Sequence, residues 1–203
     1  LSRRKTGKSA LMQRLYNIVF HKNDKVVPFY YEIKETNQWL GTFAKDFFLN
    51  FIFQYIAFQT RNSEYLSISQ SFKNALKICD KEGLDYLIER IKSAYDCYME
   101  EDTYFLWEIA RETPRNIAGI TDESVVQMID EFQYINRFIC RDKNCEKPIK
   151  NLGGSYLHTV EYKIAPLLVS GSWVGWLMDD LSRMLPGRFV YKPMGNMPQH
   201  EAI

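Results

Sequence analysis

Two short segments far apart in this chain constrain its fold more than anything else in it. Gly7-Lys8-Ser9 leads into Ala10-Leu11-Met12-Gln13-Arg14-Leu15, which has helical apolar spacing, and Val125-Val126-Gln127-Met128-Ile129 ends in Asp130-Glu131-Phe132-Gln133. The first segment reads as a loop entering a helix, where unpaired N–H groups and the helix dipole favour anions. The second reads as a buried, partly β-branched strand with two carboxylates at its carboxyl end. A chain that uses both needs helices alternating with parallel strands, because open α/β sheets gather ligands beyond the carboxyl ends of their strands.

The loop extends back through Ser2-Arg3-Arg4-Lys5-Thr6 and fits the phosphate-loop pattern G-x-x-x-x-G-K-[ST] at Gly7, Lys8 and Ser9. Such a loop surrounds phosphates with backbone N–H groups, while its lysine neutralises the outer oxygens and its hydroxyl binds Mg²⁺. Ser2 stands where the pattern has its first glycine, adding a Cβ where the chain turns sharply. Each segment alone is a weak signal, and their pairing in this order points to a nucleotide triphosphatase.

The 203 residues are expected to form a single domain with a sizeable core. An apolar content of 46% with 15% aromatic residues excludes general disorder. A net charge of +1 gives no long-range attraction to nucleic acid or anionic lipid. Cys79, Cys97, Cys140 and Cys145 are irregularly spaced and no signal peptide is visible, so reduced thiols and a cytoplasmic location are expected. Cys140 and Cys145 lack a second ligand pair at zinc spacing. Both ends look cut from a longer protein: no strand precedes the loop, and 197–203 stops where a helix is expected to begin.

Between the motifs, Lys25–Ile33 is expected to be a strand, with Pro28 implying an early or edge position. A long helix is expected over 37–59. Leu40, Phe43, Ala44, Phe47, Phe48, Phe51, Ile52, Tyr55 and Ile56 form one apolar stripe, widened by Leu49 and Phe53. Lys45, Asp46, Asn50 and Gln54 interrupt it, favouring a buried helix over a membrane span. Two helical patterns follow over 69–111, the second with Leu84, Leu87, Ile88, Ile91 and Tyr95 on one face, and Thr113-Pro114 is expected to end the region. Glu100-Glu101-Asp102 reads as a solvated helix end. A polar loop is expected over 137–151, with Gly153-Gly154-Ser155 preceding a short helix through Tyr162. A strand over Ala165–Ser172 then leads into a helix from Trp173 to Met184, followed by Leu185-Pro186-Gly187-Arg188-Phe189. Trp173, Trp176 and Tyr134 are read as core aromatics, with a partner surface as the alternative.

The series of Gly-Lys-Ser, Asp-Glu-Phe-Gln, a strand ending in Ser170-Gly171-Ser172 and Pro-Gly-Arg-Phe before another strand resembles the archaeal-type ATPase family. That family lies in the AAA+ branch near the STAND signalling ATPases. The resemblance covers nearly the whole chain, and its helical middle, about 67–118, is the least diagnostic part. It implies a three-layer α/β/α fold with a parallel sheet in the order 5-1-4-3-2, whose first strand is missing here. It also implies an ATP-dependent switch with Mg²⁺ as cofactor. Lys8 would contact the β/γ phosphates, Ser9 would ligate Mg²⁺, and the backbone of Lys5, Thr6, Gly7 and Ala10 would complete the cradle. Asp130 would hold the Mg²⁺ shell and Glu131 would orient or deprotonate the attacking water. Ser170 or Ser172 resembles the polar sensor that places that water, while Arg188, with Arg183 as competitor, resembles the arginine that reaches a γ-phosphate. ATP and ADP are the implied ligands. Self-association or a protein partner stays open, nucleic acid only through regions outside this chain, and no membrane partner is expected.

Overall fold

A computed structural model describes residues 7–22, 25–159, 162–172, 174–184 and 190–192. The chain alternates helix and strand. Helix α1 (Lys8–Lys22) is followed by β1 (Val26–Glu32), the two-residue β2 (Gln38–Trp39) and the long α2 (Leu40–Thr60). Three helices come next: α3 (Phe72–Glu82), α4 (Ile88–Met99) and α5 (Thr103–Thr121). The remainder is β3 (Ser124–Asp130), a 3-10 turn (Phe132–Asn136), β4 (Ile139–Cys140), α6 (Leu152–Thr159), β5 (Leu167–Val169) and α7 (Val174–Met184).

The central sheet is parallel and runs β1-β3-β5. Val26 pairs with Ser124 and Glu32 with Asp130 at the two ends of the first ladder, and Gln127 to Ile129 pair with Leu167 to Val169 in the second. A separate parallel pair joins β2 to β4. The fold is therefore mixed α/β with a small parallel sheet.

Alternation along β1 sorts the two faces. Val27, Phe29 and Tyr31 point to α2, where Phe29 meets Phe47 at 5.1 Å and Phe51 at 5.2 Å between ring centres, both edge-on. Tyr30 points the other way, and its phenol is hydrogen-bonded by Gln13 of α1. Helices thus cover both faces of the sheet. The α2 side is the larger core, since α2 is buried from Phe47 to Phe58 with the single exception of Asn50. A helix apolar all round requires cover all round, and α5, α3 and α4 supply it on the side away from the sheet.

Gln54, one of the polar residues interrupting the α2 stripe, finishes the free edge of β1. It accepts from the Tyr30 N–H at 2.9 Å and donates to the Tyr30 carbonyl at 2.7 Å. Its side-chain amide does what a neighbouring strand would do, which accounts for a buried glutamine in an aromatic helix. Glu123 fixes the other end of α2: it accepts from Tyr55 at 3.0 Å, from Gln59 at 2.8 and 2.9 Å, and from Thr121 at 2.8 Å.

Several expectations need correction. The region 69–111 holds three helices rather than two, and Tyr95 is 42% exposed rather than on the buried face. Thr113-Pro114 does not end the helical region; Pro114 sits inside α5. Removing one backbone bond there costs roughly 3 kcal/mol. Burial of Ile109, Ala110, Ile117 and Ala118 on either side holds the helix together, and the Thr113 hydroxyl caps the Ile109 carbonyl at 2.6 Å. The long helix starts at Leu40, because Gln38 and Trp39 pair with β4, which lies within the expected polar loop. Gly153, Gly154 and Ser155 lie inside α6 rather than before it. Close packing requires the small residue at Gly153, where an added Cβ would meet the Ile135 side chain at 3.0 Å.

Replacing Gln54 by Leu leaves the Tyr30 amide and carbonyl without partners. It is expected to lower unfolding free energy by about 2 to 4 kcal/mol, read as a shift of the urea midpoint, while Asn50→Ala, one turn away, costs less.

Candidate functional site

The site forms where β1, β3 and β5 end beside the start of α1. Gly7 adopts φ +80°, a left-handed conformation that glycine takes without penalty, and its carbonyl accepts the Leu11 N–H at 2.9 Å to open α1. Open space lies where a Cβ on Gly7 would project. Lys8 follows at 6% exposure, deep burial for a lysine. Ser9 precedes Gln13 by one turn and shares its helix face. Because Gln13 reaches Tyr30, whose phenol donates to Asp130 at 3.2 Å, that face of α1 is turned to the end of β3.

Asp130 is fully buried, and both of its carboxylate oxygens accept hydrogen bonds. Its Oδ1 accepts from the Glu131 N–H at 2.9 Å and from the Ser170 hydroxyl, and its Oδ2 accepts from Tyr30. Glu131 then leaves the strand in the left-handed region, φ 52° and ψ 42°. A non-glycine residue there costs about 1 kcal/mol or more, a cost that recurs at functional sites. Its carboxylate accepts from the Ser172 hydroxyl at 3.0 Å, the Ser172 N–H at 3.4 Å and the Gln133 amide. The two serines at the end of β5 thus divide their work, Ser170 on Asp130 and Ser172 on Glu131. The backbone locks this arrangement, since Phe132 N–H donates to the Ser170 carbonyl at 2.9 Å and Ser170 N–H to the Ile129 carbonyl at 3.0 Å.

Electrostatics follow from this crowding. Glu32, in register with Asp130, has its carboxyl held above the usual glutamate range, first by burial and then by the negative charges of Asp130 and Glu131. Burial, with Asp130 beside it, raises the Tyr30 phenol far above its ordinary value. Gln133 is buried, and its Oε1 has no hydrogen-bond partner.

Of the residues singled out from sequence, Asp130, Glu131, Ser170 and Ser172 come together directly, with Gly7, Lys8, Ser9 and Ala10 on the adjoining first turn of α1. Arg183 lies exposed on α7. Lys5, Thr6, Arg188 and the displaced glycine position Ser2 lie outside the described residues, as does the side chain of Trp176 and all of Trp173. Tyr134 is core, stacked edge-on with Phe138 at 5.2 Å. Tyr30, Glu32 and Gln133 join the site beyond the residues singled out from sequence. The two-residue period of β1 puts Tyr30 and Glu32 on one face, but only the β1–β3 register shows that this face abuts Asp130.

In comparisons with known protein families, curated proteins and solved structures, nothing matches this chain. Among the described residues, no helix is long and apolar enough to cross a membrane.

The raised Glu32 carboxyl has a defined sign. A carboxyl harder to ionise in the folded than in the unfolded state favours folding when protonated, and that stability is lost as pH rises through the folded-state value. Glu32→Gln is therefore expected to raise the urea midpoint relative to wild type at about pH 7, with the difference shrinking below about pH 4. An equal difference at both pH values contradicts the assignment.

Proposed function

We propose that this chain is a Mg²⁺-dependent ATPase domain of P-loop type, akin to the archaeal-type ATPases of the AAA+ branch, whose turnover drives or resets a conformational switch. The observation that carries the proposal is the meeting of two remote motifs. Asp130 and Glu131 stand at the carboxyl end of a central parallel strand, held by Ser170 and Ser172 of the next strand, beside the first turn of α1 with Lys8 and Ser9. The strand order supports it too, because β1-β3-β5 corresponds to the 2-3-4 stretch of a 5-1-4-3-2 sheet.

The residues present fit the implied ligand. Gly7 offers open space at a helix N-terminus, as an anion cradle requires. The Asp130 carboxylate and the Ser9 hydroxyl are the hard oxygen donors that Mg²⁺ prefers. In this reading Lys8 would neutralise the outer phosphates, and Asp130 and Ser9 would hold Mg²⁺, which would supply further charge neutralisation. Glu131 orients the attacking water and receives its proton, with Ser170 and Ser172 fixing the two carboxylates. Phosphoryl transfer rests mainly on such positioning and charge neutralisation.

One observation favours a second reading, a nucleotide-held scaffold with negligible turnover. Glu131 is latched through Oε2 by Ser172 and Gln133, which ties one of its two carboxylate oxygens. The two readings separate on release of the latch. For the scaffold, Ser172→Ala frees Glu131 and raises turnover from near zero, whereas for the ATPase the same change misplaces Glu131 and lowers it.

Glu131→Gln is expected to retain Mg²⁺-dependent ATP binding while single-turnover hydrolysis falls by about 10² or more, and Lys8→Ala is expected to lose binding. Equal hydrolysis by wild type and Glu131→Gln rejects the ATPase assignment, and binding unaffected by Lys8→Ala rejects the phosphate loop.

A further inference from the structure

Away from the strand ends, the first turns of α5, the segment 141–151 and the start of α6 enclose an open groove of about 740 Å³. None of its lining residues belongs to the site described above. The charged lining is mainly basic, with Arg111, Arg141, Lys147 and Lys150 against only Asp102 and Glu108 of opposite sign. Asp102 is already engaged, accepting the Phe105 N–H at 3.2 Å as the cap of α5.

Among the described residues, none of the four cations pairs with a carboxylate. Arg141 donates to the Tyr104 hydroxyl at 2.9 Å, and Arg111 donates to the Ser155 carbonyl while its Nε lies buried without a partner. A chain with a net charge of +1 has placed unpaired positive charge along one cleft. The apolar part of the lining is of another character. Phe105 is 51% exposed and lines the groove with Ile149 and Leu152. Exposed aromatic and apolar surface rimmed by arginine and lysine is the composition of a protein-recognition patch.

We propose that this groove is a docking site for an acidic peptide segment of a protein partner, with carboxylates meeting Lys147, Lys150 and Arg141 and an apolar side chain seated on Phe105. Charge complementarity selects the class of occupant. An inorganic anion makes no use of the apolar lining, and a phosphodiester strand, with a charge at every step, runs against Asp102 and Glu108. A peptide can space its carboxylates between apolar side chains to suit both surfaces.

The test is fluorescence anisotropy with a fluorescein-labelled peptide rich in glutamate and carrying two phenylalanines, titrated with the full chain. Saturable binding is expected, weakening as salt rises because the charges are exposed. The double variant Lys147→Glu, Lys150→Glu should lose about tenfold or more in affinity, while Phe105→Ala should lose severalfold with the salt dependence unchanged. These side chains lie on the surface and away from the nucleotide motifs, so thermal unfolding and Lys8-dependent ATP binding should match wild type. Three results overturn the proposal: no binding at millimolar protein, binding indifferent to the charge reversal, or equal binding of an oligothymidine or of the same peptide with lysine in place of glutamate. ATP binding is measured in the same samples, so failure of the groove is distinguishable from failure of the nucleotide site.

Discussion

Burial of α2 on every side is the constraint from which the rest of the architecture follows. The helix carries Phe43, Phe47, Phe48, Phe51, Phe53 and Phe58 with almost no polar face, so no single neighbour can cover it. One side meets β1 through Phe29 and Tyr31, and Phe43 and Phe47 on that side also reach Trp107 of α5, 5.2 and 5.5 Å away, while α3 and α4 pack elsewhere on the helix. The three helices between α2 and β3 are therefore the second half of the core rather than an appendage. They also return the chain to a point from which β3 can run parallel to β1, since Lys25 and Asp122 meet in an ion pair where the two strands begin. Glu123 ties the same junction to α2 through three hydrogen bonds and to the end of α5 through a fourth, so the strand bearing the acidic pair starts from a fixed place.

Precision at the start of β3 becomes chemistry at its end. Seven residues in register with β1 place Asp130 opposite Glu32, and the parallel direction of β5 brings Ser170 and Ser172 to the same edge. Polar groups collect here because strand ends are where backbone and side chains run out of sheet partners. Each buried polar group then has to find one of its own. Asp130 finds three donors, and Tyr30 gives one of them while also being held by Gln13 of α1. The first helix and the acidic strand are thus linked through a side chain belonging to neither motif.

What could be read from sequence follows the strength of local periodicity. The α2 stripe, the strand before it and the acidic strand are long, regular and bounded by clear polar signals, and each lies within a few residues of its expected place. Where propensity and packing compete, packing decides. Proline argues for a stop at 114, but the apolar residues flanking it in α5 have nowhere else to go. Three consecutive small residues at 153–155 argue for a loop, but Gly153 is there to let α6 approach Ile135 and Asn136 closely. The site was legible in its motif residues and illegible in Tyr30 and Glu32, whose importance depends on register. Local composition carries no trace of which strand lies beside which.

The state of the acidic pair bears on how such a site would be used. Oδ1 of Asp130 is shared by a backbone amide and a serine, Oδ2 by a tyrosine, and the Glu131 carboxylate rests on Ser172 and Gln133. Neutral hydrogen bonds of this kind are each worth about 1 kcal/mol net, up to about 3 when one partner is charged. A divalent cation arriving at Asp130 offers far more than any one of them, so Tyr30 and Ser170 would hold the carboxylate in place without competing effectively for it. Glu131 differs, because its anchors lie on the Phe132–Asn136 turn and on the end of β5, and its backbone sits in a conformation that costs energy to keep. Movement of the Phe132–Asn136 turn changes the Gln133 anchor of Glu131 without touching the Tyr30 and Ser170 bonds to Asp130, whereas movement at the end of β5 disturbs both carboxylates. Under the proposed ATPase reading, a shift of that turn would alter the carboxylate that positions the water while the one that holds the metal stays tied to Tyr30 and Ser170.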